Sequence, residues 1–172
     1  MTNHWNDIAN ADCILAIGCN PAENHPASMR WVQKARENGA KLICVDPRFT
    51  RTATQADIFC KIRSGTDIAF VGGMIKYVLD DMEARPDQYN MTYVLEYTNA
   101  KFLVNPKYRG PEELDGVFSG YKAEARSYDR SGWDYERDAA GFPKQDKTLK
   151  SPNCVFQILK RHLARYDVDT VC

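Results

Sequence analysis

Three short apolar runs, CILAI (13–17), KLICV (41–45) and IFCKI (58–62), punctuate the first part of the chain, with amphipathic or turn-rich sequence between them. Runs of four or five apolar residues are too short for a buried helix and suit a strand. Between the first two runs, ASMRWVQKARENG (27–39) sets Met29, Trp31, Val32 and Ala35 among charges and ends at Gly39, which predicts an amphipathic helix with a glycine C-cap. TRTATQAD (50–57) has room for a turn or two of helix before the third run. RSGTDIAFVGGMIKYVLDDM (63–82) opens on a Thr66-Asp67 cap signal and continues as an apolar-faced helix. Strand and helix alternate over short connections. The expected fold is therefore α/β: an open, mainly parallel, Rossmann-like sheet with flanking helices.

The character changes after Pro86. QYNMTYVLEYTNAKFLV (88–104) reads as a helix followed by a short strand. Residues 105–152 are polar, rich in Gly, Tyr and Asp, and have little periodicity. A stretch of that length without elements is unusual inside a compact domain, and two expectations stay open: a docking surface over a partner, or a solvated covering loop. SPNCVFQILKRHLARY (151–166) returns to an amphipathic helix, with Ser151 as cap and Pro152 in its first turn. The expected division is an α/β ligand-binding region over 1–85, and an insert over 86–172 with an irregular segment and a C-terminal helix, packed on the same domain.

Charge excludes some functions. Lys plus Arg and Asp plus Glu both number 23, with no long like-charge block, so there is no electrostatic case for nucleic acid or an anionic membrane surface. No apolar run approaches the roughly 20 residues of a membrane span, and MTNHWNDIANAD lacks the basic-then-apolar pattern of a signal peptide. Six cysteines (13, 19, 44, 60, 154 and 172) include no C-x-x-C pair and no His at zinc-finger spacing. Cys13, Cys44 and Cys60, in or beside strand-like runs, are expected to pack as small hydrophobes. Cys19 sits in a polar loop without a basic neighbour in sequence, so it is not assigned as a nucleophile. No residue is assigned a catalytic or metal-ligating role.

In an open parallel sheet, every loop leaving the carboxyl end of a strand reaches the same edge, where ligands bind. GCNPAENHP (18–26), DPRFTRT (46–52) and RSGTD (63–67) are three such loops. They bring backbone amides, hydroxyls, arginines, and acids at Asp46 and Asp67. Amides and hydroxyls near helix starts suit phosphate, while an acid can accept from ribose hydroxyls or purine N–H groups. A nucleotide-bearing ligand fits this inventory best, although each segment alone is also an ordinary turn or helix start. The nicotinamide fingerprint G-x-G-x-x-G is not met, because Cys19, Asn20 and Pro21 follow Gly18.

At these loops, MTNHWNDIANADCILAIGCNPAENHP, GAKLICVDPRFTRTATQAD and IRSGTDIAFVGGMIKYVL resemble the α/β region of molybdopterin oxidoreductases, the dimethyl sulfoxide reductase superfamily. Within it they are similar to the large (alpha) subunit of respiratory formate dehydrogenases. EYTNAKFLV, GVFSGYKAEARSYDRSGWDYERDAAGF and LKSPNCVFQILKRHLARY are similar to that subfamily's insert, so the resemblance spans essentially the whole chain. It implies a molybdopterin guanine dinucleotide holding molybdenum or tungsten. Gly18, Asn20, Glu23, Asn24 and His25 would lie on the pyrophosphate and pterin side. Asp46, Arg48 and Thr50, with Arg63, Gly65 and Asp67, would face the guanosine.

The family's large subunit is several times longer. Its cysteine cluster for a [4Fe–4S] centre and its metal-ligating Sec-His or Cys-His pair have no counterpart in these residues, so the chain is expected to be an internal slice that does not oxidise formate alone. The resemblance further implies a periplasmic parent. Its expected partners are the remainder of the large subunit, an iron–sulfur subunit and a cytochrome subunit. Two other readings stay open: a free-standing nucleotide- or pterin-binding module without catalysis, and a small NAD(P)-linked oxidoreductase.

Overall fold

A computed structural model describes residues 3–172, which form two compact units, one ending at Ile68 and one spanning Ala69–Cys172. In the first, β1 (Cys13–Ile17), β2 (Lys41–Val45) and β3 (Ile58–Cys60) make a parallel sheet in the order β1-β2-β3, the α/β arrangement expected. β1 and β2 coincide with their apolar runs. β3 stops short of Lys61 and Ile62 because its neighbour gives out: Val45 pairs with Cys60, the Asp46 N–H donates to the Cys60 carbonyl at 3.2 Å, and Pro47 has no N–H to continue the ladder.

The crossover from β1 to β2 runs through α1 (Pro21–Asn24) and α2 (Pro26–Glu37). α2 ends in a Schellman turn: the Gly39 N–H donates to Arg36 O at 2.9 Å and the Ala40 N–H to Ala35 O at 3.0 Å, with Gly39 at φ +99°. Ala16, Val32 and Leu42 form the buried core here, with Ile8, Ile14, Met29 and Ala56 packed around them. The expected helical turns before β3 reduce to a 3-10 turn, Ala53–Gln55. Asp57 closes that connection, accepting from Leu42 N–H at 2.8 Å and from Arg36 Nε at 3.3 Å. Of the three cysteines expected to be buried, Cys44 is fully so and Cys60 partly. Cys13 is exposed, because β1 is an edge strand and Cys13 is its first residue.

α3 (Asp67–Ala84) carries the chain into the second unit, where α4 (Met91–Tyr97), the hairpin β4 (Tyr121–Lys122) and β5 (Ser127–Tyr128), α5 (Val155–Leu163) and α6 (Val168–Val171) follow. Leu79, Ala100, Leu149, Cys154, Phe156 and Leu163 form its core. The short strand expected near 102–104 is reduced to single bridges, Phe102 to Gln145, Leu103 to Cys154 and Val104 to Tyr135.

Residues 105–152, expected to lack elements, are irregular apart from the short β4–β5 hairpin, and carry an aromatic cluster of their own. Phe118 lies 5.7 Å from Trp133 and 6.3 Å from Tyr128, and the indole N–H of Trp133 donates to Ser119 O at 2.8 Å. α5 starts at Val155 with Cys154 as its N-cap, which corrects the expected cap at Ser151 and the helical placement of Pro152. The Asp146 carboxylate accepts from the N–H groups of Thr148 (2.9 Å), Lys150 (3.0 Å) and Ser151 (2.6 Å), so Ser151 is held in the preceding turn. Among the described residues no helix is long and apolar enough to cross a membrane.

Candidate functional site

The register of the sheet decides where the loops emerge. Ile17 pairs with Val45 and Val45 with Cys60, so the three strands end on one line and release their loops at one edge. Gly18 turns the first loop away in the left-handed region, φ +58°, while its N–H donates to Val45 O at 3.0 Å. Among the described residues the amides of Cys19 and Asn20, which follow, have no protein acceptor.

The first two loops are knitted together. The Asn20 Oδ1 accepts from the Thr52 hydroxyl at 2.8 Å and from the Thr52 N–H at 3.2 Å, and its Nδ2 donates to Glu23 Oε2 at 2.7 Å. Glu23 also faces Arg51, with Nε 3.5 Å from Oε1. Asn24 and His25 are exposed. The His25 ring stacks on Trp5 at 5.3 Å, and its Nδ1 lies 2.7 Å from Asn24 Oδ1.

In the second loop, Asp46 is half-buried and forms an Asx turn, Oδ1 accepting from the Arg48 N–H at 2.8 Å. Its other carboxylate oxygen has no partner among the described residues. Its negative charge reaches two thiols: burial first, and then the Asp46 carboxylate, push both Cys19 and Cys44 above the usual thiol range. Thr50 is buried, its hydroxyl accepting from the Ala53 N–H at 3.2 Å.

The third loop turns at Gly65, φ +86°, where the Thr66 N–H (3.1 Å) and hydroxyl (2.7 Å) both donate to Arg63 O. Asp67 is exposed as the first residue of α3. Arg48 and Arg63 are exposed, and among the described residues neither guanidinium meets a carboxylate.

The edge therefore offers free cations, free amides and one half-buried carboxylate, which is the chemistry of an anionic ligand with an N–H-bearing ring. It does not offer a metal site: among the described residues no group of three or more His, Cys, Asp or Glu can hold a metal ion.

Two features escape the sequence reading. Thr52 is fully buried and organises the first loop, yet nothing in TRTAT distinguishes it from Thr50. The second unit also has an open groove of about 1080 Å³ along α5, lined by Tyr108, Phe118 and Trp133 with Glu112 and His162. Its acids are matched, Glu113 by Arg109, Glu112 by Arg165 and His162, and Asp134 by Arg137, while Arg161, which meets no carboxylate among the described residues, donates to Pro152 O at 2.7 Å.

Comparison with known proteins identifies the family. The family model for molybdopterin oxidoreductase matches residues 1–94. The chain is 52% identical over 171 residues to formate dehydrogenase subunit alpha of Megalodesulfovibrio gigas, covering 99% of this chain and 16% of that protein. It is 51% identical over 172 residues to the formate dehydrogenase-O major subunit of Escherichia coli, and 47% identical over 171 to formate dehydrogenase 2 subunit alpha (cytochrome c-553) of Nitratidesulfovibrio vulgaris, with the same 99% and 16% coverage. The chain thus spans about a sixth of the length of these relatives. It belongs to the molybdopterin oxidoreductase family, whose cofactor is a molybdopterin carrying molybdenum or tungsten.

Proposed function

We propose that this chain is the cofactor-binding portion of a formate dehydrogenase large subunit, and that its sheet edge holds the dinucleotide arm of a molybdopterin guanine dinucleotide. The observation that carries the reading is Asp46, half-buried with one carboxylate oxygen free, on the same edge as the unpaired guanidinium groups of Arg48 and Arg63. Guanine presents two adjacent N–H donors, on its ring nitrogen and its exocyclic amine, and a carboxylate accepts both. Adenine has no such pair. The guanidinium groups and the amides of Cys19 and Asn20 suit the pyrophosphate. Asn20, Glu23, Asn24 and His25 line the side toward the pterin, and Thr50, Gly65 and Asp67 shape the guanosine side.

When bound, the molybdopterin-held metal supplies the two-electron oxidation of formate to carbon dioxide. The residues of this chain bind and orient the dinucleotide. Metal ligation and the [4Fe–4S] cluster belong to other parts of the large subunit, and the chain alone does not turn over formate. The relatives' designations as alpha or major subunits, one of them with cytochrome c-553, fit a multi-subunit assembly; its partners in this proposal are the remainder of the large subunit, an iron–sulfur subunit and a cytochrome. We place that assembly in the periplasm.

The test is the nucleotide released by acid hydrolysis from the protein purified from its native source. GMP at about one to two equivalents per polypeptide is the expected product. A nicotinamide nucleotide, or none, would overturn the reading.

A further inference from the structure

Thr52 is 0% exposed, although its neighbours Arg51 and Thr54 are open to solvent. A buried hydroxyl must be hydrogen-bonded, and this one is bonded twice: it donates to Asn20 Oδ1 at 2.8 Å and accepts from the Ala22 N–H at 3.1 Å. The Thr52 N–H adds a second bond to Asn20 Oδ1, at 3.2 Å. Among the described residues these are the side-chain hydrogen bonds that join loop 18–26 to loop 46–52, and the other link is the exposed Arg51–Glu23 pair. Together they fix the carboxamide, oxygen toward Thr52 and nitrogen toward Glu23. They also occupy the Ala22 amide, so the amides of Cys19 and Asn20 are left free on this stretch.

We propose that Thr52 is a positioning residue for the dinucleotide: from beneath the edge, through Asn20 and Ala22, it sets the loop whose amides receive the pyrophosphate, without touching the ligand. The proposal rests on the reading of that edge given above. Valine copies threonine's shape but has no hydroxyl. It leaves the Ala22 N–H without its acceptor and Asn20 Oδ1 with one bond in place of two. Serine keeps both hydroxyl bonds and loses only a methyl group.

The experiment compares wild type, Thr52→Val and Thr52→Ser in the full-length native protein, reading hydrogen exchange of residues 18–25, melting temperature, and GMP released per polypeptide. Thr52→Val is expected to speed exchange in 18–25 about tenfold, the scale of one lost buried hydrogen bond, and to lower GMP content. Exchange in the second unit stays as in wild type, and Thr52→Ser restores both readouts. Wild-type exchange and GMP in Thr52→Val would overturn the proposal. So would a Thr52→Ser protein that behaves like Thr52→Val, because the methyl group would then carry the role. A loosened loop in Thr52→Val alongside a wild type that releases no GMP would support the loop-setting role and overturn the cofactor reading. If Thr52→Val does not fold, Asn20→Ala removes the bonds to Asn20 from the other side, and unchanged exchange there overturns the proposal.

Discussion

Gly72 of α3 lies against the ring of Tyr166, so close that a Cβ at position 72 would stand 2.5 Å from Cδ2 and 3.0 Å from Cγ. Cγ is the base of the ring and moves only if the side chain leaves its χ1 rotamer. Gly72→Ala therefore gains about 1 kcal/mol of helix propensity but loses more to overpacking, for a net destabilisation of about 1–2 kcal/mol. At Gly73 the nearest neighbour is the tip of the Val171 side chain, a methyl at 3.2 Å, with the Tyr166 carbonyl at an ordinary 3.5 Å, so Gly73→Ala is expected to be neutral or stabilising. Urea unfolding of the two variants checks the contrast. Equal effects would show that helix propensity alone governs both positions.

Asp57 should make the first unit acid-sensitive. The Leu42 N–H first, and then the Arg36 guanidinium, hold its carboxyl below the usual aspartate range. A depressed folded-state value contributes stability that is fully present above the unfolded-state pKa and is lost as pH falls through the folded one. Asp57→Asn is therefore expected to unfold at lower urea than wild type near neutrality. The difference should shrink as pH drops below the ordinary aspartate value. A difference independent of pH would show that shape, rather than charge, matters at position 57.

Cys19 should be a poor nucleophile despite its exposure. Burial of the sulfur and then the Asp46 carboxylate raise its pKa, so little thiolate is present at neutral pH. Maleimide labelling followed by mass spectrometry is expected to modify Cys19 more slowly than a free thiol in solution, and Asp46→Asn to speed it. Fast labelling of Cys19 at pH 7 would contradict this account of the edge.

Much of the first unit is legible in sequence because its signals are local. CILAI and KLICV are apolar runs bounded by turn residues, and Gly39 marks the end of α2 by the conformation it alone adopts cheaply. The end of β3 is not local, since Ile58–Cys60 stops where β2 loses its donor at Pro47. The aromatic cluster of Phe118, Tyr128 and Trp133 is equally hidden, because its members meet through a hairpin and carry no period. The start of α5 depends on Asp146 capturing three amides C-terminal to it, an arrangement that a Ser-Pro pair does not announce. At the edge, strand order follows from the alternation of elements, and with it the loops. Which side chains face inward, as Thr50 and Thr52 do, depends on packing beneath the loop.

Under the proposed function, the guanine dinucleotide sits on the loops at the end of the three strands. Hydrogen exchange on the full-length protein with and without cofactor, the latter made in a host that cannot assemble molybdopterin, tests it most directly. The account expects protection in 18–25, 46–52 and 63–67. Protection along α5 and residues 104–113 at the groove of the second unit, with those three loops unchanged, would contradict it.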